Sequence, residues 1–452
     1  MRLAVLGGGG FRVPLVHRAL LADRGPGRVT ELVLHDLDKA RLDAIGHVLA
    51  QQAADCADPP RVTTTTDLDE AITGATFVFS AVRVGGLEGR VTDEQVALGE
   101  GVLGQETVGA GGIAYGLRTI PVAMEIARRV AVRAPEAWVI NFTNPAGMVT
   151  EAMSRHLGDR VIGICDSPVG LGRRVAKALG IDPATAWFDY AGLNHLGWLR
   201  GVHVGGRDLL PRLLADPDAL HSFEEGRLFG ADWLRTLGAI PNEYLHYYYF
   251  TRDAVQAARD LPHSRGAVLT EQQRRFYESV RRDPGHALAA WESARIEREV
   301  TYGAESREAA GAGHRDADDL ESGGYEKVAL ALMRAIAHDE RATLILNVRN
   351  RTTLSTLDDN AVVEVPCVVD AGGARPVVAD QLPDYAQALV GAVKAVERAT
   401  IHAAVHADPT AALKALALHP LVDSVTVARR LLDGYLRKIP ELAYLRENHR
   451  AR

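Results

Sequence analysis

A chain of 452 residues, 47% hydrophobic and 24% charged, has the make-up of a soluble globular protein too long for one ordinary core, so two closely packed lobes are expected. Its formal net charge of -7 argues against a general nucleic-acid binder, which needs a basic footprint, while leaving room for a local pocket that takes one phosphate. Three cysteines, Cys56, Cys165 and Cys367, are too few for a disulfide framework, and no stretch approaches the roughly 20 apolar residues of a membrane span, so a reducing cytoplasmic setting is the expectation.

Residues 3–6 form an apolar run that ends in Gly7, Gly8, Gly9 and Gly10, which reads as a buried strand rather than a leader peptide. Residues 11–21 then carry apolar side chains at helical spacing. Strands are predicted at 32–34, 61–65, 75–81, 138–142 and 161–165, with helices at 40–50 and 114–132 between them. The strands are continuously apolar, as in a sheet covered on both faces, and their alternation with helices indicates parallel pairing. After about Pro168 helices dominate, with strands such as 198–204 and 361–369. The stretch 305–324, rich in Gly, Ala and Asp, is the expected mobile loop, and the last ~70 residues read as two or three helices. The fold class is therefore α/β. A Rossmann-type doubly wound parallel sheet over residues 1–167 is followed by a mixed α+β, mostly helical part over 168–452.

A strand that runs into glycines and then a helix is the geometry that holds a pyrophosphate, because glycine lets the phosphates approach and the helix N-terminus presents N–H groups. The G-x-G-x-x-G spacing is not met: Arg12 stands at the third position when Gly7 and Gly9 fill the first two, and Val13 does so in the shifted frame of Gly8 and Gly10. Asp36 closes the second strand, where an acid can hold a ribose 2′-hydroxyl and repel a 2′-phosphate, favouring NAD over NADP. The plainer alternative is a tight glycine turn, with Asp36 capping the next helix. The Asn144-Pro145 pair after a strand suits the floor beneath a nicotinamide, or is simply a turn.

Four further polar, glycine-rich segments follow strands, the positions where open α/β sheets gather ligands. They are Val82-Arg83-Val84-Gly85-Gly86 with Arg90 behind it, Gly104-Gln105-Glu106-Thr107, Cys165-Asp166-Ser167-Pro168 and Gly192-Leu193-Asn194-His195. A fifth, Pro241-Asn242-Glu243-Tyr244-Leu245, leads into Tyr247, Tyr248 and Tyr249. Cys165 and His195 are chemically apt metal ligands, but without a tight spacing motif a buried thiol and a hydrogen-bonded imidazole explain them as well. The tyrosines serve equally as core packing.

Taken together, the segments GGGG-F, RVGGLEGR, GQETVGAGG, IAYGLRTIP, NFTNPAG, GICDSPVGL, GLNHLGW, IPNEYLHYYY, SRG and DDNAVVEVPCVVD resemble glycoside hydrolase family 4, in the family's order and as far as about Asp370. Ala110 stands where the family's GQET-x-G-P-G-G pattern has proline. The resemblance implies NAD and a divalent metal, most often Mn²⁺, with Cys165 and His195 as its ligands. It implies hydride transfer from C3 of the sugar, loss of the C2 proton to a tyrosine, metal stabilisation of the enediolate, elimination of the aglycone, water addition and return of the hydride. The paired carboxylates on which most glycosidases rely are not implied. Tyr244, chosen over Tyr247 and Tyr248 by motif position, is the implied base. Gly7, Gly8, Gly9, Gly10, Phe11 and Asp36 would hold the cofactor, Asn144 and Asn194 the sugar hydroxyls, and Arg12, Arg90 and Arg265 the substrate's phosphate.

Asp166 pulls the other way, because members acting on 6-phospho-α-glucosides tend to carry Asp after the cysteine, where it can protonate the leaving group. The remaining motifs resemble the 6-phospho-β-glucosidase branch, and that is the expected activity. The alternatives are the α-specific enzyme and an NAD-dependent 2-hydroxyacid dehydrogenase, which would need no metal; a non-enzymatic NAD-binding redox sensor is the further rival. The expected partners are a phosphorylated disaccharide or aryl glycoside and copies of the same chain, in a homodimer or homotetramer. Neither nucleic acid nor membrane is expected.

Overall fold

The computed structural model describes residues 1–301, 307 and 324–450. Apart from Arg307 and Gly324, the stretch expected to be a mobile loop lies outside the described residues. A single sheet organises the molecule. Its first half consists of β1 (Arg2–Leu6), β2 (Glu31–His35), β3 (Arg61–Thr65), β4 (Phe77–Ser80), β5 (Trp138–Asn141) and β6 (Val161–Gly163). These six pair in parallel in the order β3-β2-β1-β4-β5-β6. The doubly wound order expected from strand–helix alternation is thus present, with its reversal between β1 and β4.

Alternate residues of β1 explain why its run is continuously apolar. Leu3 and Val5 pack with Val13, Leu42 and Trp291 on one face. Ala4 and Leu6 pack with Val78, Val130 and Met153 on the other. Both faces are dry, so a polar residue at either parity would be buried without a partner.

The second half of the chain extends the same sheet with antiparallel strands. They are β7 (Trp187–Leu193), β8 (Leu196–Val204), β9 (Arg207–Asp208), β10 (Ile240–Pro241), β11 (Ala342–Arg349), β12 (Val362–Asp370) and β13 (Gly373–Pro376). The joint is β11 against β6, where Asn347 pairs with Gly163. From there the order runs β11-β12-β7-β8-β10. The strands expected at 198–204 and 361–369 are the cores of β8 and β12.

The helix expected at 114–132 spans Gly109–Arg133 and starts five residues earlier than its periodicity suggested. Glycines make its first turn a poor helix by propensity. Packing decides otherwise: a Cβ on Gly111 would lie 2.1 Å from the Gln105 carbonyl oxygen, so only glycine lets this turn seat on the preceding loop. The C-terminal end forms four helices, Asp384–His406, Pro409–Leu418, Val425–Lys438 and Ala443–Arg450, rather than two or three. The first three pack with Gly109–Arg133 and with helix Gly86–Gly99 in a second core. No described helix is long and apolar enough to cross a membrane.

Candidate active site

The strand-order reversal opens a cleft at the C-terminal ends of β1, β4, β5 and β6, enclosing a cavity of about 250 Å³. The glycine turn after β1 forms one wall. Gly7 has φ +84°, and a Cβ there would sit 2.5 Å from the Ala81 carbonyl oxygen, so no other residue fits the crossing of β1 and β4. The Gly7 and Gly8 N–H groups donate to the His35 carbonyl at 2.9 and 2.7 Å. Asp36 accepts the Gly9 N–H at 3.0 Å and the Asp38 N–H at 3.1 Å. The helix cap beyond it is Asp38, which accepts from Arg41 at 3.1 Å, so Asp36 does not cap the helix and its carboxylate stays at the turn. Gly7, Gly10 and Arg12 line the cleft, while Gly8, Gly9 and Asp36 stand behind the lining. Phe11 also borders it, but its ring is spent on Phe276 and Trp291 in the core.

The expected chemical residues converge on the opposite wall. Cys165, Asp166, Asn144, Asn194, His195 and Tyr244 share the cleft. His195 closes the two-residue turn between β7 and β8 at φ +62°, a conformation costly for a side chain with a Cβ. Its Nδ1 lies 3.1 Å from the Thr107 hydroxyl, and its ring stacks on Tyr244 with centroids 3.7 Å apart and planes 7° from parallel. Burial lowers the imidazole to about 4, so it is neutral at physiological pH and carries a lone pair for a cation. The Cys165 thiol is pushed well above its ordinary range by burial and then by the charges of Glu364 and Asp166. A divalent cation reverses that ordering, because it favours thiolate over thiol. Among the described residues no cluster of three or more His, Cys, Asp or Glu forms a closed metal cage. A thiol and a neutral imidazole on one open cleft fit a cation that keeps positions for substrate or water.

The tyrosines separate cleanly. Tyr244 and Tyr247 face the cleft. Tyr248, half-buried, stacks beside His419 against the core and is not part of the cleft lining, and desolvation drives its hydroxyl far above the usual range. Tyr249 accepts the Trp198 indole N–H at 3.0 Å. Tyr244 sits on a short turn whose start is fixed by Asn242, which accepts the Tyr244 N–H at 3.0 Å.

Sequence reasoning missed the carboxylates that hold these groups. Glu364, fully buried on β12, accepts from Asn194 at 3.0 Å, Asn347 at 2.8 Å and Tyr190 at 3.1 Å, and burial raises it to about 7. A lone acid inside the apolar run VVEVPCVV was the available signal. Glu106 accepts from Arg83 and Arg90, both at 2.7 Å, and these guanidiniums hold it far below the usual carboxylate range despite its burial. Glu243 accepts the Ser167 hydroxyl proton at 2.6 Å and is raised by burial. Arg90 and Arg265 reach the cleft as expected. Arg265 donates to the Thr301 hydroxyl at 2.6 Å and to the Arg298 carbonyl at 3.0 Å. Arg12 lies over the rings of Phe142 and Tyr325, 3.7 Å from Asp166.

With this geometry the comparisons with known proteins become specific. The family model for family 4 glycosyl hydrolases matches residues 2–181, and the model of that family's C-terminal domain matches residues 190–422. The chain is a family 4 glycosyl hydrolase. It is 32% identical over 450 residues to a probable 6-phospho-β-glucosidase of Bacillus subtilis, covering 96% of each chain. It is 30% identical to a 6-phospho-α-glucosidase of Leptotrichia buccalis, again over 96% of each. In three dimensions it is similar to the 6-phospho-β-glucosidase of Thermotoga maritima, solved with manganese, NAD⁺ and glucose 6-phosphate. That match has a TM-score of 0.80 at 27% identity and covers 97% of this chain and 98% of the other. A glycosidase of this family, built on the expected Rossmann-type sheet, is what the sequence motifs implied.

Proposed function

We propose that this family 4 glycosidase hydrolyses 6-phospho-β-glucosides, with NAD and a divalent metal, manganese above all, as its cofactors. The observation that carries the reading is the meeting, in one cleft, of a pyrophosphate-type glycine turn, the Cys165–His195–Tyr244 group and a set of arginines. When bound, NAD supplies a hydride acceptor and donor and the metal supplies Lewis acidity.

The chain's own residues then divide the remaining work. Gly7 to Gly10 and the helix that follows hold the dinucleotide, with Asp36 placed for a ribose hydroxyl. Cys165 and His195 hold the metal. With Nδ1 against Thr107, His195 offers Nε2 to the cation. Asn144 lines the cleft with a buried Oδ1 that has no hydrogen-bond partner among the described residues, a site for a sugar hydroxyl proton. Asn194, oriented by Glu364, serves a second hydroxyl. Tyr244 takes the C2 proton, and its stacking on His195 fixes the base beside the metal ligand. Arg12, Arg90 and Arg265 face the phosphate. Residues 1–167 serve mainly the nucleotide and 168–452 the substrate, the metal and contacts within a cytoplasmic homodimer or homotetramer; neither membrane nor nucleic acid has a role.

Asp166 supports a second reading, the α-linked substrate, since it stands half-exposed in the cleft beside Cys165, where it could protonate a leaving oxygen. Release of p-nitrophenol from the α- and β-linked 6-phosphoglucosides and their unphosphorylated parents decides between them, with and without NAD⁺ and Mn²⁺ under reducing conditions. β-selective release that requires the phosphate and both cofactors is expected. α-selective release would transfer the assignment to the second reading, and net accumulation of NADH would favour a dehydrogenase.

A further inference from the structure

Asn194, His195 and Tyr244 come from two separate turns. The first two residues close the turn from β7 to β8, and Tyr244 stands on the turn Glu243–Leu245. The His195 and Tyr244 rings nevertheless stack with centroids 3.7 Å apart. A ring stack is soft to sliding, so something else must fix one turn against the other.

A continuous chain of hydrogen bonds does so, and its centre is Glu364 on β12. The Glu364 Oε1 accepts from the Asn194 amide at 3.0 Å and the Asn347 amide at 2.8 Å. Its Oε2 accepts the Tyr190 hydroxyl proton at 3.1 Å. The Tyr190 oxygen in turn accepts from the Asn242 amide at 3.4 Å, the longest link. The Asn242 Oδ1 then accepts the Tyr244 backbone N–H at 3.0 Å. Asn242 is itself pinned to β8, because its N–H donates to the Gly197 carbonyl at 2.9 Å. Glu364, Tyr190 and Asn242 are fully buried. A Cβ on Gly197 would lie 2.4 Å from the Tyr190 hydroxyl oxygen, so glycine at that position makes the room this hydroxyl occupies.

Every link runs in one sense, with donors leading from both turns toward one carboxylate. Burial raises that carboxyl, and its three hydrogen bonds pull it back toward the ionised form. An acceptor with no proton to give is what this centre requires. A glutamine of the same shape would turn a donor either on the Tyr190 hydroxyl, which already accepts from Asn242, or on the two asparagine amides. A buried acid held by uncharged donors is a costly way to join strands, and here it joins the two that carry the reacting groups.

We infer that Glu364 is a positioning residue for removal of the C2 proton, acting through Tyr190 and Asn242 to hold Tyr244 in register with Asn194 and His195. This rests on the reading of Tyr244 as the base. None of the three touches substrate in this role; they set where the base stands, and displacement of a base by about 1 Å is enough to cost up to about 10²-fold in rate.

The test is steady-state kinetics of the full enzyme with NAD⁺ and Mn²⁺, on the p-nitrophenyl 6-phosphoglucoside of the anomer it cleaves, with hydrogen or deuterium at C2. Tyr190→Phe removes one hydroxyl and cuts the chain between Glu364 and Asn242. Its kcat should fall by about 10- to 100-fold, with KM and the NAD⁺ and Mn²⁺ affinities within about twofold of wild type. Its C2 isotope effect on kcat should be at least as large as that of wild type, because the slowed step is the proton removal. Glu364→Gln should show the same pattern, and the double variant should lose no more than the worse single one, within about twofold, since both break one chain. Losses that multiply in the double variant would overturn the inference. So would a Tyr190→Phe enzyme with wild-type kcat, or one whose C2 isotope effect shrinks toward unity. Should Glu364→Gln not fold, Tyr190→Phe decides alone on kcat, KM and the isotope effect. Tyr244→Phe, assayed alongside, separates the two failures: near-normal turnover there refutes the base assignment and this inference with it, whereas an inactive Tyr244→Phe beside an unimpaired Tyr190→Phe refutes only the inference.

Discussion

Helix Gly86–Gly99 separates two clusters of buried charge that behave in opposite ways. Toward the C-terminal helices, Asp93 meets Arg118 in a fork of two hydrogen bonds at 2.8 and 2.6 Å, both side chains fully buried, and the Arg118 Nε donates to the Val84 carbonyl at 2.9 Å. Toward the cleft, Arg90 is held by Glu94 and Glu106, and Arg265 and Arg298 stand in the same cavity lining. The inner cluster is sealed from solvent, whereas the outer one lines the cavity. Sealed charge networks hold elements together, whereas one that lines a cavity is placed to meet a ligand.

That contrast predicts chemistry lost without stability on one side and stability lost without chemistry on the other. Tyr244→Phe should lower kcat by about 10²- to 10⁴-fold with NAD⁺ and metal affinities unchanged, and exchange of the C2 proton with D₂O during turnover should vanish. A variant with near-normal turnover would remove Tyr244 as the base. Asp93→Ala should cost about 3–5 kcal/mol in chemical denaturation, because it strands the Arg118 charge, while leaving glucose 6-phosphate affinity intact. An equal loss of ligand affinity would erase the distinction between the clusters. Cys165→Ser should weaken divalent-metal binding by about 10- to 100-fold or more, measured by titration with Mn²⁺, and leave NAD⁺ binding alone. Unchanged metal affinity would sink the ligand assignment.

The smallest effect is expected at the surface, where Asp358 contacts Arg398 and is held down to about 2, first by that guanidinium. A depressed acid stabilises the fold above its unfolded value, near 3.9, and loses that contribution as pH falls toward 2. Asp358→Asn should therefore flatten the melting-temperature profile between about pH 4 and 2. The pair is half-exposed, so no more than about 1 kcal/mol is involved. A profile unchanged from wild type would show the pair to be energetically silent.

Much of this enzyme was legible in one dimension because its signals are local. A strand that is dry on both faces must be continuously apolar, so β1, β4 and β5 announced themselves, and with them the parallel sheet. A glycine forced to φ +84° against Ala81 is written as glycine wherever it occurs. The motifs that carry Cys165, His195 and Tyr244 could be named from sequence for the same reason, each occupying a short turn after a strand.

What sequence could not decide is which side chains neutralise one another. Arg90 and Arg298 look alike in a string of letters. One is bound by Glu94 and Glu106, the other lies among Arg12, Arg265 and Glu299, and neighbours brought in from other parts of the chain make the difference. Glu364 orients Asn194 from 170 residues further along, and Tyr248 packs against His419 away from the cleft that its neighbour Tyr247 lines. Electrostatic energy depends on distance and desolvation in space, and both are set only when the antiparallel strands join the parallel ones in one sheet and the helices pack around it.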